Sequence, residues 1–236
     1  MTERATTLLT ENLRCIRERI EAACTRAGRR VGDVTLVAVT KYAELDWVRA
    51  LVELGVTDLG ESRPQQLVFR AGQLPPHVRW HLIGHLQRNK VESILPAVAR
   101  IHSVDSVRLI EAINTGARKL GLRPRLMLEV NVSGEPSKDG FDPADLLSTW
   151  PALCRLESIA IEGLMTMAPL GDHVEAARPV FRALRELRDC LVDAASGACL
   201  LPDLSMGMSG DFEIAIEEGA TLVRVGSGLF EGLAAG

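Results

Sequence analysis

The sequence has few aromatic residues and no long apolar run. Aromatic residues make up 4% of its 236 positions, and Tyr42 is the only tyrosine. No apolar stretch approaches the roughly 20 residues that a membrane-spanning helix needs. Acidic residues interrupt the N-terminal segment, so it does not resemble a secretory signal peptide. We therefore expect a cytoplasmic protein with no membrane partner.

The chain also lacks a block of basic residues and any Cys-x-x-Cys pair. Its net charge is −4, which gives no indication of a nucleic-acid partner. Its five cysteines are scattered, a pattern that favours reduced packing thiols over a disulfide framework or a metal site. The content of 47% hydrophobic and 25% charged residues is that of an ordinary globular protein. We predict no bound metal.

Strand and helix patterns alternate after an amphipathic N-terminal helix. The predicted strands are 35–41, 58–61, 79–84, 101–104, 126–131, 159–165, 204–206 and 222–226. Helical patterns fill the seven gaps, among them 107–120, 142–155, 173–195 and 211–218. Eight such units in this length indicate an α/β fold, a single (β/α)8 TIM-type barrel. An open doubly wound sheet is the alternative, but no G-x-G-x-x-G follows the first strand.

We expect residues 1–236 to form one barrel domain, with an extra N-terminal helix within residues 1–30. No eighth helix follows the last strand, so this helix is predicted to pack in its place. In such barrels, functional groups lie at the C-terminal ends of the strands. Polar residues from several strands should therefore meet at one mouth.

Lys41 closes the first apolar strand, where a lysine is costly. At the end of a strand buried on both faces, we expect its ammonium to be partly desolvated. Desolvation would lower the pKa and free the amine to attack a carbonyl carbon. The alternative is a lysine whose charged end simply reaches solvent.

The loops after the last two strands are rich in small residues. Residues 205–211 and 226–228 carry glycines and serines at the places where barrels often bind phosphate. The alternative is that these glycines only form turns and that Ser209 only caps a helix. Two such loops together with Lys41 favour a phosphorylated carbonyl compound as the ligand.

Arg224 lies inside the last apolar strand and needs a partner, since it cannot lose its charge. One interpretation is a buried ion pair with Glu129 or Glu61. The other is a fixed donor to a ring atom of the ligand near the phosphate.

Together these features resemble the pyridoxal phosphate homeostasis protein family, single-domain relatives of the alanine racemase N-terminal barrel. The resemblance spans nearly the whole chain in the expected order. Its matching segments are 36–41 (LVAVTK), 59–63 (LGESR), 80–90 (WHLIGHLQRNK), 162–167 (EGLMTM), 204–209 (LSMGMS) and 223–227 (VRVGS).

The resemblance implies that pyridoxal 5′-phosphate (PLP) is the cofactor. Lys41 would bond covalently to its aldehyde, and Arg224 would face its pyridine nitrogen. The phosphate would be held by Ser209, Gly226 and Ser227, and the surroundings of the ring would include Met206 and His81. Family members usually have asparagine where this chain has Ser62, so any contact by that side chain is in doubt.

PLP drives amino-acid chemistry best with a protonated ring nitrogen. An arginine can only donate to that nitrogen, which favours its neutral form and weakens the cofactor as an electron sink. Alanine racemases add a tyrosine from a C-terminal domain, which we do not expect here, and Tyr42 should leave the strand on the face opposite Lys41. We therefore expect a monomeric, non-catalytic PLP carrier or regulator, with apo forms of PLP-dependent enzymes as its partners.

Two enzymatic interpretations stay open. One is a PLP-dependent racemase or related enzyme acting on small amino acids. The other is an aldolase that forms a Schiff base with a sugar phosphate and needs no cofactor. Lys138 is a poorer candidate for the reactive amine, because it lies in a polar loop.

Overall fold

Eight parallel strands pair in chain order, and the eighth pairs with the first to close a barrel. The structure is a computed structural model that describes residues 3–135, 138–169, 173–195 and 199–233. The (β/α)8 fold predicted from the alternating pattern is therefore confirmed. Each strand is short, and the apolar side chains of its outer face pack under the surrounding helices.

Five of the eight strands are shorter than their predicted ranges. The strand bounds are β1 (Thr35–Val39), β2 (Asp58–Glu61), β3 (Arg79–Leu82), β4 (Arg100–Val104), β5 (Arg125–Glu129), β6 (Ala160–Met165), β7 (Asp203–Ser205) and β8 (Leu222–Val225), and the shorter ones are β1, β3, β5, β6 and β8. β1 ends two residues before Lys41, because a turn closed by the bond from Ala43 N–H to the Thr40 carbonyl (2.9 Å) follows it. The prediction that Lys41 belongs to the strand is wrong.

The helices occupy the gaps between the strands. Their bounds are α1 (Glu3–Arg26), α2 (Leu45–Glu53), α3 (Pro64–Ala71), α4 (Val91–Ile94), α5 (Val107–Leu120), α6 (Pro143–Leu153), α7 (Arg178–Ala194) and α8 (Phe212–Glu217). α5 has the predicted bounds, whereas α4 is a single turn preceded by a 3-10 turn at 88–90. None of the helices in the part of the chain that the structure describes is long and apolar enough to span a bilayer.

α1 packs against α2 and α8, in the place that an eighth barrel helix would take. Ion pairs join Arg19 to Glu213 (2.8 Å) and Arg26 to Glu217 (2.7 Å), but partly exposed pairs contribute only about 0–1 kcal/mol each. Full burial of a leucine or isoleucine contributes roughly 1.5–3 kcal/mol, so apolar packing holds this helix in place. The buried side chains of its inner face are Leu9, Leu13, Ile16 and Ile20.

The inside of the barrel is filled by side chains. An apolar cluster, separate from the layer between strands and helices, consists of Val37, Met127, Met165 and Leu222. Beside it, Arg100 bridges Asp203 (2.7 Å) and Glu162 (2.9 Å). This filling leaves the barrel mouth, rather than a pore, as the place for a ligand.

Candidate functional site

β7, β8 and β1 are neighbours in the closed barrel, so the loops after them share one part of the rim. The loop that starts at Gly226 lies directly against the end of β1. A Cβ atom placed on Gly226 would lie 3.2 Å from the Cβ of Val39. A glycine therefore permits the close approach that brings this loop near the turn carrying Lys41.

Ser209 lies in a small cradle of backbone N–H groups between the two loops. Its Oγ accepts hydrogen bonds from the backbone N–H groups of Gly226 (3.2 Å) and Gly228 (3.3 Å). The hydroxyl keeps its own O–H as a donor, which is the kind of group that can bind a phosphate oxygen. Ser227, between these glycines, is exposed to the rim.

The alternative that Ser209 caps the following helix is wrong. The residue before α8 is Asp211, and its carboxylate accepts a hydrogen bond from the backbone N–H of Met208 (2.6 Å). Because Asp211 closes the loop after β7, the Ser209 hydroxyl is directed to the neighbouring loop instead.

Lys41 lies in the turn after β1 and its side chain is exposed. The expected desolvation of its ammonium is therefore wrong for the free protein. The Lys41 Nζ lies 5.1 Å from the centroid of the Tyr42 ring. The two side chains thus lie together, and the expectation that they leave opposite faces is also wrong, because the strand alternation has ended before them.

A buried arginine holds this turn in place. Arg70 on α3 donates to the carbonyls of Thr40 (2.7 Å) and Ala43 (2.6 Å), which lie on either side of Lys41 and Tyr42. Arg70 also pairs with the fully buried Glu61 (3.2 Å). Burial lowers the pKa of Arg70, and the Glu61 charge opposes this shift.

The second oxygen of Glu61 accepts the backbone N–H of Ser62 (2.9 Å), at the position where the resembling family usually has asparagine. This bond uses the main chain of Ser62 and is open to any residue.

Arg224 extends into the barrel from β8 and is 4% exposed. It donates to Ser205 Oγ (2.6 Å) and to the Thr166 carbonyl (3.0 Å). Burial lowers the pKa of Arg224 to about 10, opposed by Glu129, so the side chain stays charged at neutral pH. The alternative pairing of Arg224 with Glu61 is wrong, since Glu61 pairs with Arg70.

Glu129, at the end of β5, is a functional candidate that sequence reasoning passed over. Burial and the neighbouring charge of Asp105 raise the pKa of Glu129 to about 7, and Arg224 opposes the shift. A carboxyl group whose pKa lies near neutral pH can donate or accept a proton. Asp105 in turn pairs with His85 (3.2 Å) at the same mouth.

The remaining predicted residues lie deeper. Met206 is fully buried in the main hydrophobic core. His81 is buried on β3, and its ring reaches Arg224 only through His102 and Ser205. Direct contact of Met206 or His81 with a cofactor ring stays a prediction.

Sequence reasoning missed His102 and expected Ser205 only as one of the polar residues near the strand ends. The available signal is that polar residues alternate with apolar ones within short buried strands, as Arg100 and His102 do on β4. Such polar positions point into the barrel rather than toward the helices.

Lys138, the other candidate amine, is held by oxygen atoms. Its Nζ lies 3.3 Å from Ser133 Oγ, from the Met167 carbonyl and from the Glu135 carboxylate. The Lys138 amine donates its hydrogens in these contacts, whereas the Lys41 side chain is exposed. The geometry therefore favours Lys41 as the reactive lysine.

Comparisons with known proteins agree with the fold. The alanine racemase N-terminal domain family matches residues 11–233. A pyridoxal phosphate homeostasis protein of Aquifex aeolicus is 41% identical over 93% of this chain and 96% of its own length. A crystal structure of an unknown protein from Bifidobacterium adolescentis is 37% identical, with a TM-score of 0.90 over 98% of this chain and 97% of that chain.

PipY of Synechococcus elongatus, solved with PLP bound, is 35% identical, with a TM-score of 0.83. The match covers 94% of this chain and 99% of that chain. The likeness therefore extends over whole chains rather than over isolated motifs.

Replacing Arg70 tests whether it holds the Lys41 turn. Arg70→Met should lower the free energy of unfolding by about 3–5 kcal/mol, because Glu61 is left as an uncompensated buried charge. Urea unfolding followed by circular dichroism measures this loss. Adding Glu61→Gln should recover part of it, and Arg30→Met, at an exposed ion pair, should change little. A tolerated Arg70→Met would contradict the assignment.

Proposed function

This chain belongs to the alanine racemase N-terminal domain family and, within it, to the pyridoxal phosphate homeostasis proteins; from this we propose that it binds PLP through Lys41 and regulates its supply. The observation that carries the proposal is the Ser209 cradle, where the Gly226 and Gly228 N–H groups meet one oxygen. This cradle lies beside the end of β1, so an anion-binding site and the lysine amine are offered to one ligand.

The residues present fit PLP as a ligand. Ser209, Gly226 and Ser227 would hold its phosphate, and Arg224 would donate to its ring nitrogen. When bound, PLP supplies an aldehyde that condenses with an amine, with loss of water, and a ring that withdraws electrons. The Nζ of Lys41 would be that amine.

The surroundings of Arg224 support binding without efficient turnover. A guanidinium carries donors only, and the burial-lowered pKa of about 10 still leaves Arg224 protonated at neutral pH. It would therefore hold the ring nitrogen in its neutral form, which weakens electron withdrawal.

The position of Tyr42 counts against the racemase interpretation. Racemisation needs two proton-transferring groups on opposite faces of the substrate carbon. Tyr42, the only tyrosine, lies beside Lys41 rather than opposite it. It is also 80% exposed, so it lies outside a closed pocket.

The exposure of Lys41 supports a carrier or regulator. Enzyme sites usually exclude water from reactive intermediates. An exposed Lys41 instead leaves a bond to the aldehyde open to hydrolysis, or to attack by an amine of another protein. Apo forms of PLP-dependent enzymes are the partners that would use this route.

Lys41→Ala tests the covalent attachment. Purified protein should turn yellow with PLP, and borohydride should bleach it and fix the cofactor on Lys41, as peptide mass spectrometry would reveal. Lys41→Ala should lose the colour and the fixed cofactor, because its amine is gone. Lys119→Ala, at an exposed ion pair with Glu92 (2.6 Å), is the control and should keep both.

Two results would count against the proposal. One is Lys41→Ala protein that still carries borohydride-fixed PLP. The other is colourless wild-type protein that traps a sugar phosphate, which would favour the aldolase interpretation.

Ser209→Ala tests the phosphate cradle. Losing the hydroxyl should weaken PLP binding by roughly tenfold, because a hydrogen bond to a charged group is lost. Pyridoxal, which lacks the phosphate, should bind both proteins equally. Equilibrium titration of the visible absorbance measures both ligands. An equal loss for PLP and pyridoxal would place the effect outside the phosphate site.

A further inference from the structure

A continuous chain of hydrogen-bonded side chains crosses the inside of the barrel. Arg224 Nη1 contacts Ser205 Oγ (2.6 Å), and Ser205 Oγ contacts His102 Nδ1 (2.8 Å). His102 Nε2 contacts His81 Nδ1 (2.8 Å), and His81 Nε2 contacts the Asp58 carboxylate (3.0 Å). Four strands besides β8 contribute, so only the closed barrel assembles it.

With both imidazoles neutral, the chemistry of the two ends fixes the direction of every bond. Arg224 can only donate, so Ser205 Oγ accepts from it, and a neutral His102 that donates toward Asp58 offers only its Nδ1 lone pair to the Ser205 hydrogen. His102 then carries its proton on Nε2 and donates to His81 Nδ1. His81 likewise carries its proton on Nε2 and donates to Asp58. Both imidazoles are neutral in this arrangement, and each bond runs toward the carboxylate.

The surroundings agree with this assignment. Burial lowers the pKa of both imidazoles, for His102 well below its ordinary value, and the charge of Arg100 adds to the shift. Burial opposes ionisation of Asp58, yet hydrogen bonds from His81 and Arg79 lower its pKa overall. Asp58 therefore stays a carboxylate and can accept.

Arg79 holds Asp58, the last residue of the hydrogen-bonded chain. Its Nε donates to Asp58 (2.8 Å), and its side chain is 58% exposed. Asp58 is the first residue of β2, at the opposite end of the barrel from the Lys41 turn. The hydrogen-bonded chain thus links the end of the barrel where the ligand would bind to the opposite end.

We propose that Ser205, His102, His81 and Asp58 are positioning residues that hold Arg224 as a fixed donor toward the ligand. Ser205 Oγ and the Thr166 carbonyl are two acceptors from two different strands, so they fix the plane of the guanidinium. While His102 takes the Ser205 hydrogen, a lone pair of Ser205 Oγ stays directed at Arg224. The consequence for binding rests on the proposed PLP function, whereas the proton positions do not.

The first test uses the cofactor-free protein. Proton–nitrogen correlation spectra of the five histidine rings report which nitrogen carries the proton. His81 and His102, assigned through His81→Asn and His102→Asn spectra, should both be neutral with the proton on Nε2. A proton on His102 Nδ1, or a charged ring at either position at neutral pH, would overturn the proposal.

The second test is Ser205→Ala, which removes one oxygen atom and little volume. PLP should bind this variant up to roughly tenfold more weakly, because the Arg224 guanidinium is no longer held in place before the ligand arrives. The absorbance maximum of bound PLP should also shift, because Arg224 is no longer fixed against its ring. His77→Gln, at an exposed histidine that is not part of the hydrogen-bonded chain, should bind PLP as the wild type does.

The outcomes separate the two proposals. Unchanged affinity and spectrum in folded Ser205→Ala would refute the positioning role. If wild-type protein bound no PLP, the proposed function would be wrong. The histidine spectra would still show whether the protons along the hydrogen-bonded chain lie where we propose. If Ser205→Ala did not fold, those same spectra of the wild type would decide it alone.

Discussion

A permanent positive charge inside a closed barrel is the constraint on which the rest of the structure depends. Arg224 cannot shed its proton at neutral pH, and leaving a buried charge without partners costs several kcal/mol. Ser205 Oγ and the Thr166 carbonyl accept hydrogen bonds from the Arg224 guanidinium, and the charge of Glu129 lies nearby. These partners come from β5, from β7 and from the residue that follows β6, so barrel closure and the charge depend on each other.

The rim of the barrel combines opposite environments within a short distance along the chain. Arg224 is buried, while Ser227, three residues later, is exposed, as is Lys41 on the neighbouring strand end. A ligand held at this rim would meet a rigid donor below and solvent above. That combination suits a protein that retains an aldehyde reversibly, and suits a metabolic enzyme less well.

Much of the fold could be predicted from the sequence. The spacing of apolar residues and the length of each apolar run are enough to recognise short parallel strands and amphipathic helices. β2 and α5 have the predicted bounds. Lys41 was misplaced because an apolar pattern cannot show where a turn begins. That point is set by Arg70, which binds the carbonyls of Thr40 and Ala43 from a helix about 30 residues further along.

The candidate site was only partly predictable for a similar reason. Small residues in the last two loops predict an anion site, since their chemistry is local. The path from Arg224 to Asp58 is not local, because it depends on which strands face each other across the barrel. His102 and Ser205 are ordinary residues in isolation and acquire a role only when β4 and β7 meet inside it.

The central claim is that Arg224 acts only as a donor toward the ligand ring. The most direct measurement is the nitrogen-15 chemical shift of PLP labelled at its ring nitrogen and bound to the protein at neutral pH. The account predicts the shift of a neutral, hydrogen-bonded pyridine nitrogen. The shift of a protonated pyridinium would contradict it, because Arg224 cannot accept a hydrogen bond from that proton.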